Sequence, residues 1–107
     1  MASIKFSYNR KEYTLRFSRT SVMRMEQSGF DITQLEGRPY SAMITLFRGA
    51  FIAEHPDTKS KVIDQIWDNM PNKDDLINAL IDLYQEPFNA LMEEPDEAKK
   101  VSWKVTA

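Results

Sequence analysis

The first seventeen residues alternate between apolar and polar positions, as in a β-strand with one buried face. The apolar positions form two runs, Ile4, Phe6 and Tyr8, then Tyr13, Leu15 and Phe17. Asn9 and Arg10 lie between the runs, and Asn9 tolerates a positive φ. The pattern therefore predicts a β-hairpin with an aromatic face. Arg10 stands where a tight primed turn favours glycine, so the type of turn is not predicted.

A helical spacing of apolar residues replaces this alternation after Ser18. Ser18 or Thr20 is suited to cap a short first helix, in which Val22 and Met25 share one face, and Gly29 is a natural end for it.

The segment from Pro39 to Glu54 shows the strongest helical pattern of the chain. Its apolar positions repeat every three or four residues at Tyr40, Met43, Ile44, Phe47, Ala50 and Phe51. The apolar stripe covers about half of the helix circumference, which predicts a central position in the fold. Gly49 lowers helix propensity, so we expect close packing against a neighbouring element there.

A third helix is predicted after Pro56, with Asp57 or Thr58 as its cap. Its buried face would consist of Val62, Ile63, Ile66, Trp67 and Met70.

A fourth helix, capped by Asn72, carries two adjacent apolar stripes. The first contains Leu76, Leu80, Leu83, Tyr84 and Leu91, and the second Ile77, Ile81, Phe88 and Met92. Together they span about 180°, more than the ~100° that a surface helix needs. Pro87 should kink the helix or split it after Glu86. The second stripe is either core or a protein-binding face, which makes Ile77, Ile81, Phe88 and Met92 candidate binding residues.

The C-terminal segment begins with the acidic stretch 93–97, which resembles a linker, and ends in an alternating run. Val101, Trp103 and Val105 occupy every second position of that run. Three alternatives remain open: the run adds a third strand to the hairpin, it stays mobile and recruits a client protein or the next copy, or it is simply disordered. In the second case these three residues bind protein. The predicted fold is therefore α+β, an N-terminal hairpin packed with about four helices. We expect a domain over residues 1–95 and a tail over 96–107.

Composition limits the class of protein. The chain has 107 residues, 42% of them apolar, and no cysteine. These values predict one ordinary domain in a reducing compartment without disulfides or thiolate metal sites. No apolar run approaches a membrane span, and the N-terminus lacks the apolar region of a signal peptide, so we expect a cytosolic protein without a membrane partner.

Charge is unevenly distributed along the chain. Residues 1–50 carry a balance of +4 and residues 51–107 a balance of −6. Such a polarity favours head-to-tail association between copies, although differently charged solvated faces would give the same counts. The basic half is weak as a nucleic-acid surface and the acidic half would repel phosphates, so no nucleic-acid partner is expected.

Few residues are suited to catalysis. His55 is the single histidine, and a general base there competes with the simpler interpretation of a partly exposed loop residue. The three glycines are scattered, and no carboxylate group has the spacing of an EF-hand loop. We therefore expect no enzyme activity, no cofactor and no metal.

Several segments resemble, in order over nearly the whole chain, a family of tail-assembly chaperones of long-tailed bacteriophages that infect Gram-positive bacteria. The segments are FSYNRKEYTLRF, TSVMRMEQSGFDI, LFRGAFIAEHP, IDQIWDNM, LIDLYQEPFNALMEE and the closing VSW. Each motif is short, and the resemblance lies in their order and spacing. Arg10 departs from the family pattern, in which Asn-Gly is more usual.

The resemblance implies a non-enzymatic protein of phage morphogenesis. Members of the family coat the long helical tape measure protein in the host cytoplasm, keep it soluble until tail-tube subunits displace them, and are absent from the mature virion. The tape measure protein and further copies of the chain are then the expected partners. The alternative is a small structural protein, a head–tail connector or tail component, that is packaged in the virion.

Overall fold

A β-hairpin followed by four α-helices forms the α+β fold that the sequence predicts. The computed structural model describes residues 2–106, so the first residue of the predicted domain and the last residue of the predicted tail lie outside it. The elements are β1 (Ile4–Tyr8), β2 (Lys11–Leu15), α1 (Arg19–Gln27), α2 (Tyr40–Gly49), α3 (Ser60–Asp68) and α4 (Lys73–Leu91). Two short 3-10 helices, Ile32–Leu35 and Glu97–Lys99, lie between α1 and α2 and after α4.

The hairpin is antiparallel, and its turn has a defined geometry. Ile4 pairs with Leu15 and Tyr8 with Lys11, which leaves Asn9 and Arg10 as a two-residue loop. Both loop residues are left-handed, with φ of 50° and 65°, as in a type I′ turn. Arg10 thus adopts a conformation that favours glycine, at a cost of about 1 kcal/mol.

Helix α2 lies at the centre of the core, as predicted. Leu46 and Phe47 have no exposed surface, and the Phe47 ring packs against Phe51 and Trp67 at centroid distances of 5.2 and 5.1 Å. The close packing expected at Gly49 is confirmed, because a Cβ there would overlap the sulfur of Met25.

The predicted extension of α2 to Glu54 is wrong, since the helix ends at Gly49 and turns follow it. Long-range hydrogen bonds from β2 and from the residue just after it explain the early end. The Arg16 amide donates to the Ala50 carbonyl at 3.2 Å, and the Thr14 amide donates to Nε2 of His55 at 3.0 Å. These bonds fix the segment after α2 along the outer edge of the hairpin.

The helix starts agree only partly with the predicted caps. Ser18 caps α1 as predicted, because its side chain accepts from the Ser21 amide while the Ser21 side chain accepts from the Ser18 amide. The caps predicted for α3 are wrong, since that helix begins at Ser60, two residues after Thr58, without a side-chain cap. Asn72 precedes α4, but its side chain makes no capping hydrogen bond.

Helix α4 continues from Lys73 to Leu91, so of the two alternatives predicted for Pro87, a kink or a split after Glu86, the split is excluded. Pro87 lacks an amide hydrogen and leaves the Leu83 carbonyl without its usual helical donor.

Of the alternatives left open for the tail, the third strand on its own hairpin is not found in the described residues. The sheet contains only β1 and β2, and residues 100–106 have no regular secondary structure. The bonds of Thr14 and Arg16 explain why the β2 edge cannot accept a strand. The chain extends 56 Å in its longest direction and has a radius of gyration of 16.5 Å, compared with about 13 Å for a compact chain of this length.

Candidate protein-binding surface

Helix α4 begins in the core and extends beyond it. Its buried residues are Ile77, Leu80, Leu83 and Tyr84, all in its first twelve positions. The exposed fraction of the large apolar side chains then rises from 37% at Phe88 to 53% at Leu91 and 80% at Met92. We call residues 86–92 the α4 end. Apolar side chains that stay exposed beyond the core do not contribute their burial energy to folding. A contiguous group of them is therefore uncommon on a protein surface.

An apolar groove lies beside the α4 end. The link between β2 and α1 contributes Phe17 and Ser18 to one wall, together with Arg19 at the start of α1, and α4 contributes Glu86, Pro87 and Ala90 to the other. The groove has a volume of about 420 Å³ and is open to solvent. Its floor is fixed, because Phe17 is buried and packs edge-on against Tyr84 at 5.2 Å between ring centroids.

Tyr84 connects the groove with the exposed residues. Its ring lies 5.6 Å from the rings of both Phe30 and Phe88. Burial raises the pKa of Tyr84 to about 12, and the carboxylates of Glu26 and Asp31 add to the effect. The hydroxyl is therefore neutral at physiological pH, and the base of the α4 end is an uncharged aromatic cluster.

The tail, residues 96–107, carries a second group of exposed apolar residues. Val101, Trp103 and Val105 are 79%, 81% and 85% exposed. A Trp at this exposure gives up most of the stabilisation that its burial would provide.

The candidate residues from the sequence fall into three groups. Ile77 is in the core with 1% exposure, so at this residue the core alternative holds and the side chain is not accessible to a partner in the folded chain. Ile81 is half-buried at the edge of the core. Phe88, Met92, Val101, Trp103 and Val105 are exposed, but they lie in two separate places, the α4 end and the tail.

The sequence analysis missed Leu91 and the groove. Leu91 belongs to the first stripe of α4, from which no candidate binding residue was taken. A helical wheel gives the direction of a side chain but not how far along the helix the core extends. The groove combines Phe17 with Pro87, seventy positions apart, which no local pattern indicates. The lengths of the other predicted elements do carry a signal. Compared with the length of α4, they are too short to cover its last two turns.

The ionic contacts are at the surface and tie elements together. Arg48 on α2 binds Asp64 on α3 through both carboxylate oxygens, which raises the pKa of the guanidinium. Arg16 binds Glu54 at 2.6 Å, and this hydrogen bond lowers the pKa of that carboxyl. Neither pair borders the α4 end.

His55 has a structural contact. Its Nε2 accepts from the Thr14 amide, and its ring packs edge-on against Tyr13 at 5.1 Å between centroids. Within residues 2–106, no group of three or more His, Asp or Glu side chains is arranged to hold a metal ion. None of the helices in that same range has the length and apolar character needed to cross a bilayer.

Of three comparisons with known proteins, one finds a match, a family model. No curated protein and no solved structure matches the chain significantly. The model of the family described as "Domain of unknown function (DUF5055)" matches residues 1–107, the whole chain. The protein therefore belongs to the DUF5055 family.

Proposed function

We propose that this protein is a non-enzymatic tail-assembly chaperone of a bacteriophage, which binds the tape measure protein and keeps it soluble in the host cytoplasm until the tail is built. The observation that carries the proposal is the α4 end, a helical segment whose apolar stripe continues for two turns after the core has ended. The order of sequence motifs that resembles the chaperone family supports the same function.

The α4 end has the form expected for a surface that covers another helix. Amphipathic helices bind in apolar grooves through residues spaced three or four apart. Phe88, Leu91 and Met92 provide this spacing on α4, and the groove along Phe17 and Pro87 provides a neighbouring recess. A client helix that is apolar on one face would cover both features together.

The expected energy matches a transient complex. Full burial of a Leu, Phe or Met side chain contributes about 1.5–3 kcal/mol. Scaled by the exposed fractions of Phe88, Leu91 and Met92, burial of the α4 end contributes about 2.5–5 kcal/mol per copy. A single copy would then bind weakly, and many copies along one client would hold it firmly yet remain displaceable.

Co-expression with the tape measure protein of the phage that this proposal implies tests the function. The intact chain should keep that protein in the soluble fraction and co-purify with it. The double variant Leu91→Ser, Met92→Ser should lose most of this effect, because it removes the most exposed part of the surface.

Tyr40→Ser is the matched control. Tyr40 is 70% exposed, but it begins α2, where the neighbouring Arg38 contacts Asp74 at the opposite end of α4. This variant should solubilise the client as the intact chain does. Aggregation of the client in the presence of the intact chain would refute the proposed function, and equal activity of the double variant would refute the assignment to the α4 end.

A further inference from the structure

One edge of the hairpin is open. The two-residue turn makes Tyr8 and Lys11 a hydrogen-bonded pair, and pairs alternate from there along the ladder. Lys5 and Ser7 therefore direct their amide and carbonyl groups away from β2. Within residues 2–106 these four groups have no hydrogen-bond partner in the protein. An open edge of this kind accepts a further strand.

The other edge is closed. The outward amide of Thr14 donates to His55, and the amide of Arg16, just beyond β2, donates to the Ala50 carbonyl. A strand that joins this sheet must therefore pair with β1.

The tail has the pattern that the β1 edge requires. Val101, Trp103 and Val105 would lie on one face of an extended strand, with Ser102 and Lys104 on the other. On β1 the corresponding faces are the half-buried row Ile4, Phe6 and Tyr8 and the exposed pair Lys5 and Ser7. An added strand in this orientation would continue the apolar row beside Phe6 and keep its polar residues in solvent.

We propose that residues 101–105 of one copy add a third strand to the β1 edge of a second copy. The contact joins two different surfaces, so a pair of copies still has a free β1 edge on one copy and a free tail on the other. Further copies can therefore add in the same way, which gives a closed ring or an open chain. This self-association is independent of any client protein.

The exposure of the tail and the charges beside it favour a second copy as the source of the strand. In the structure the tail is exposed and does not pair with its own hairpin. Residues 93–97, directly before it, contain four acidic and no basic residues, whereas residues 4–17 contain four basic and one acidic. Strand addition in a parallel register would place the acidic stretch beyond the Ile4 end of β1, the end of the hairpin that carries Lys5 and Arg16. A parallel register with Trp103 beside Phe6 sets Lys104 beside Ser7, so no two lysines are paired.

Two full-length variants test the contact from its two sides. Ser7→Pro removes an outward amide of β1, a substitution that edge strands accept because the ladder to the partner strand stays intact. The triple variant Val101→Ser, Trp103→Ser, Val105→Ser removes the apolar row of the tail. Glu12→Pro is the matched control, because Glu12 is the cross-strand partner of Ser7 and faces the opposite edge.

Sedimentation at increasing concentration should show a rising mean mass for the wild type and for Glu12→Pro. The Ser7→Pro and triple-serine variants should each remain monomeric. Mixed together they should form a one-to-one dimer, since the first supplies an intact tail and the second an intact edge. The proposal would be overturned if either variant associated as strongly as the wild type, if the wild type stayed monomeric, or if the mixture formed no dimers.

Hydrogen exchange on the wild type gives a second measurement that does not depend on the folding of Ser7→Pro. At associating concentration the Lys5 and Ser7 amides should exchange at about one tenth of their rate at dilute concentration, or more slowly still. The exchange rate of the Glu12 amide should be the same at both concentrations. Equal exchange of Lys5 and Ser7 at both concentrations would overturn the proposal.

Discussion

Removal of residues 96–107 should leave the stability of the monomer almost unchanged. The side chains of Val101, Trp103 and Val105 are about four-fifths exposed, so only about a fifth of their burial energy is realised in the monomer. Full burial of one Trp and two Val side chains would contribute about 6 kcal/mol. The fraction realised is about 1 kcal/mol, which corresponds to a Tm change of roughly 5 °C or less.

A tail packed on its own hairpin would give a very different result. Its removal would lower the free energy of unfolding by about 5 kcal/mol or more and the Tm by roughly 20 °C or more. The two outcomes are well separated, so one thermal denaturation experiment distinguishes them.

The measurement should use circular dichroism at a concentration where the wild type is monomeric, because association would itself raise the apparent stability. Leu80→Ala is the positive control, since Leu80 is fully buried and its truncation should cost about 2–5 kcal/mol. A large loss of Tm in the truncated chain would refute the description of the tail as unpaired.

Four substitutions test the rest of the fold. Phe47→Ala should lower the free energy of unfolding by about 3–5 kcal/mol in urea denaturation, because it empties the centre of the core; a loss below about 1 kcal/mol would contradict the central position of α2. Arg10→Gly should raise the free energy of unfolding by about 0.5 kcal/mol, since relief of the left-handed strain exceeds the added chain entropy; destabilisation would contradict the turn type. His55→Ala should cost about 1–2 kcal/mol by leaving the Thr14 amide without its acceptor, with faster exchange of that amide as the specific readout. Tyr84 has a pKa of about 12 in the folded chain against about 10 in the unfolded chain, so the free energy of unfolding should fall above pH 10, by up to about 1.4 kcal/mol per pH unit. Tyr84→Phe should remove that part of the pH dependence. An unchanged slope in this variant would contradict the burial of the hydroxyl.

Local patterns predicted those elements whose position depends on neighbouring residues. The alternation from Ile4 to Phe17 gave the hairpin, and the Ser18 cap gave the start of α1. The stripe along α2 gave its central place because a helix that is apolar over half its surface must be enclosed. The packing of Gly49 followed from its unfavourable propensity.

The remaining features depend on contacts between distant parts of the chain. The end of α2 is set by bonds from Thr14 and Arg16, more than thirty positions away. Ile77 and Met92 share one stripe of α4, yet one is core and the other is exposed, because the core ends between them. The sequence therefore predicted which face of α4 is apolar but not where along the helix that face becomes available to a partner.

The proposed function requires that a phage encodes this chain and that the chain binds the tape measure protein during tail assembly and is then released. Quantitative mass spectrometry that compares complexes isolated from infected cells with purified virions is the decisive test. We expect the chain to co-purify with the tape measure protein from the cells and to be absent from the virions. A fixed number of copies in every virion would contradict the chaperone function and identify the protein as a structural component.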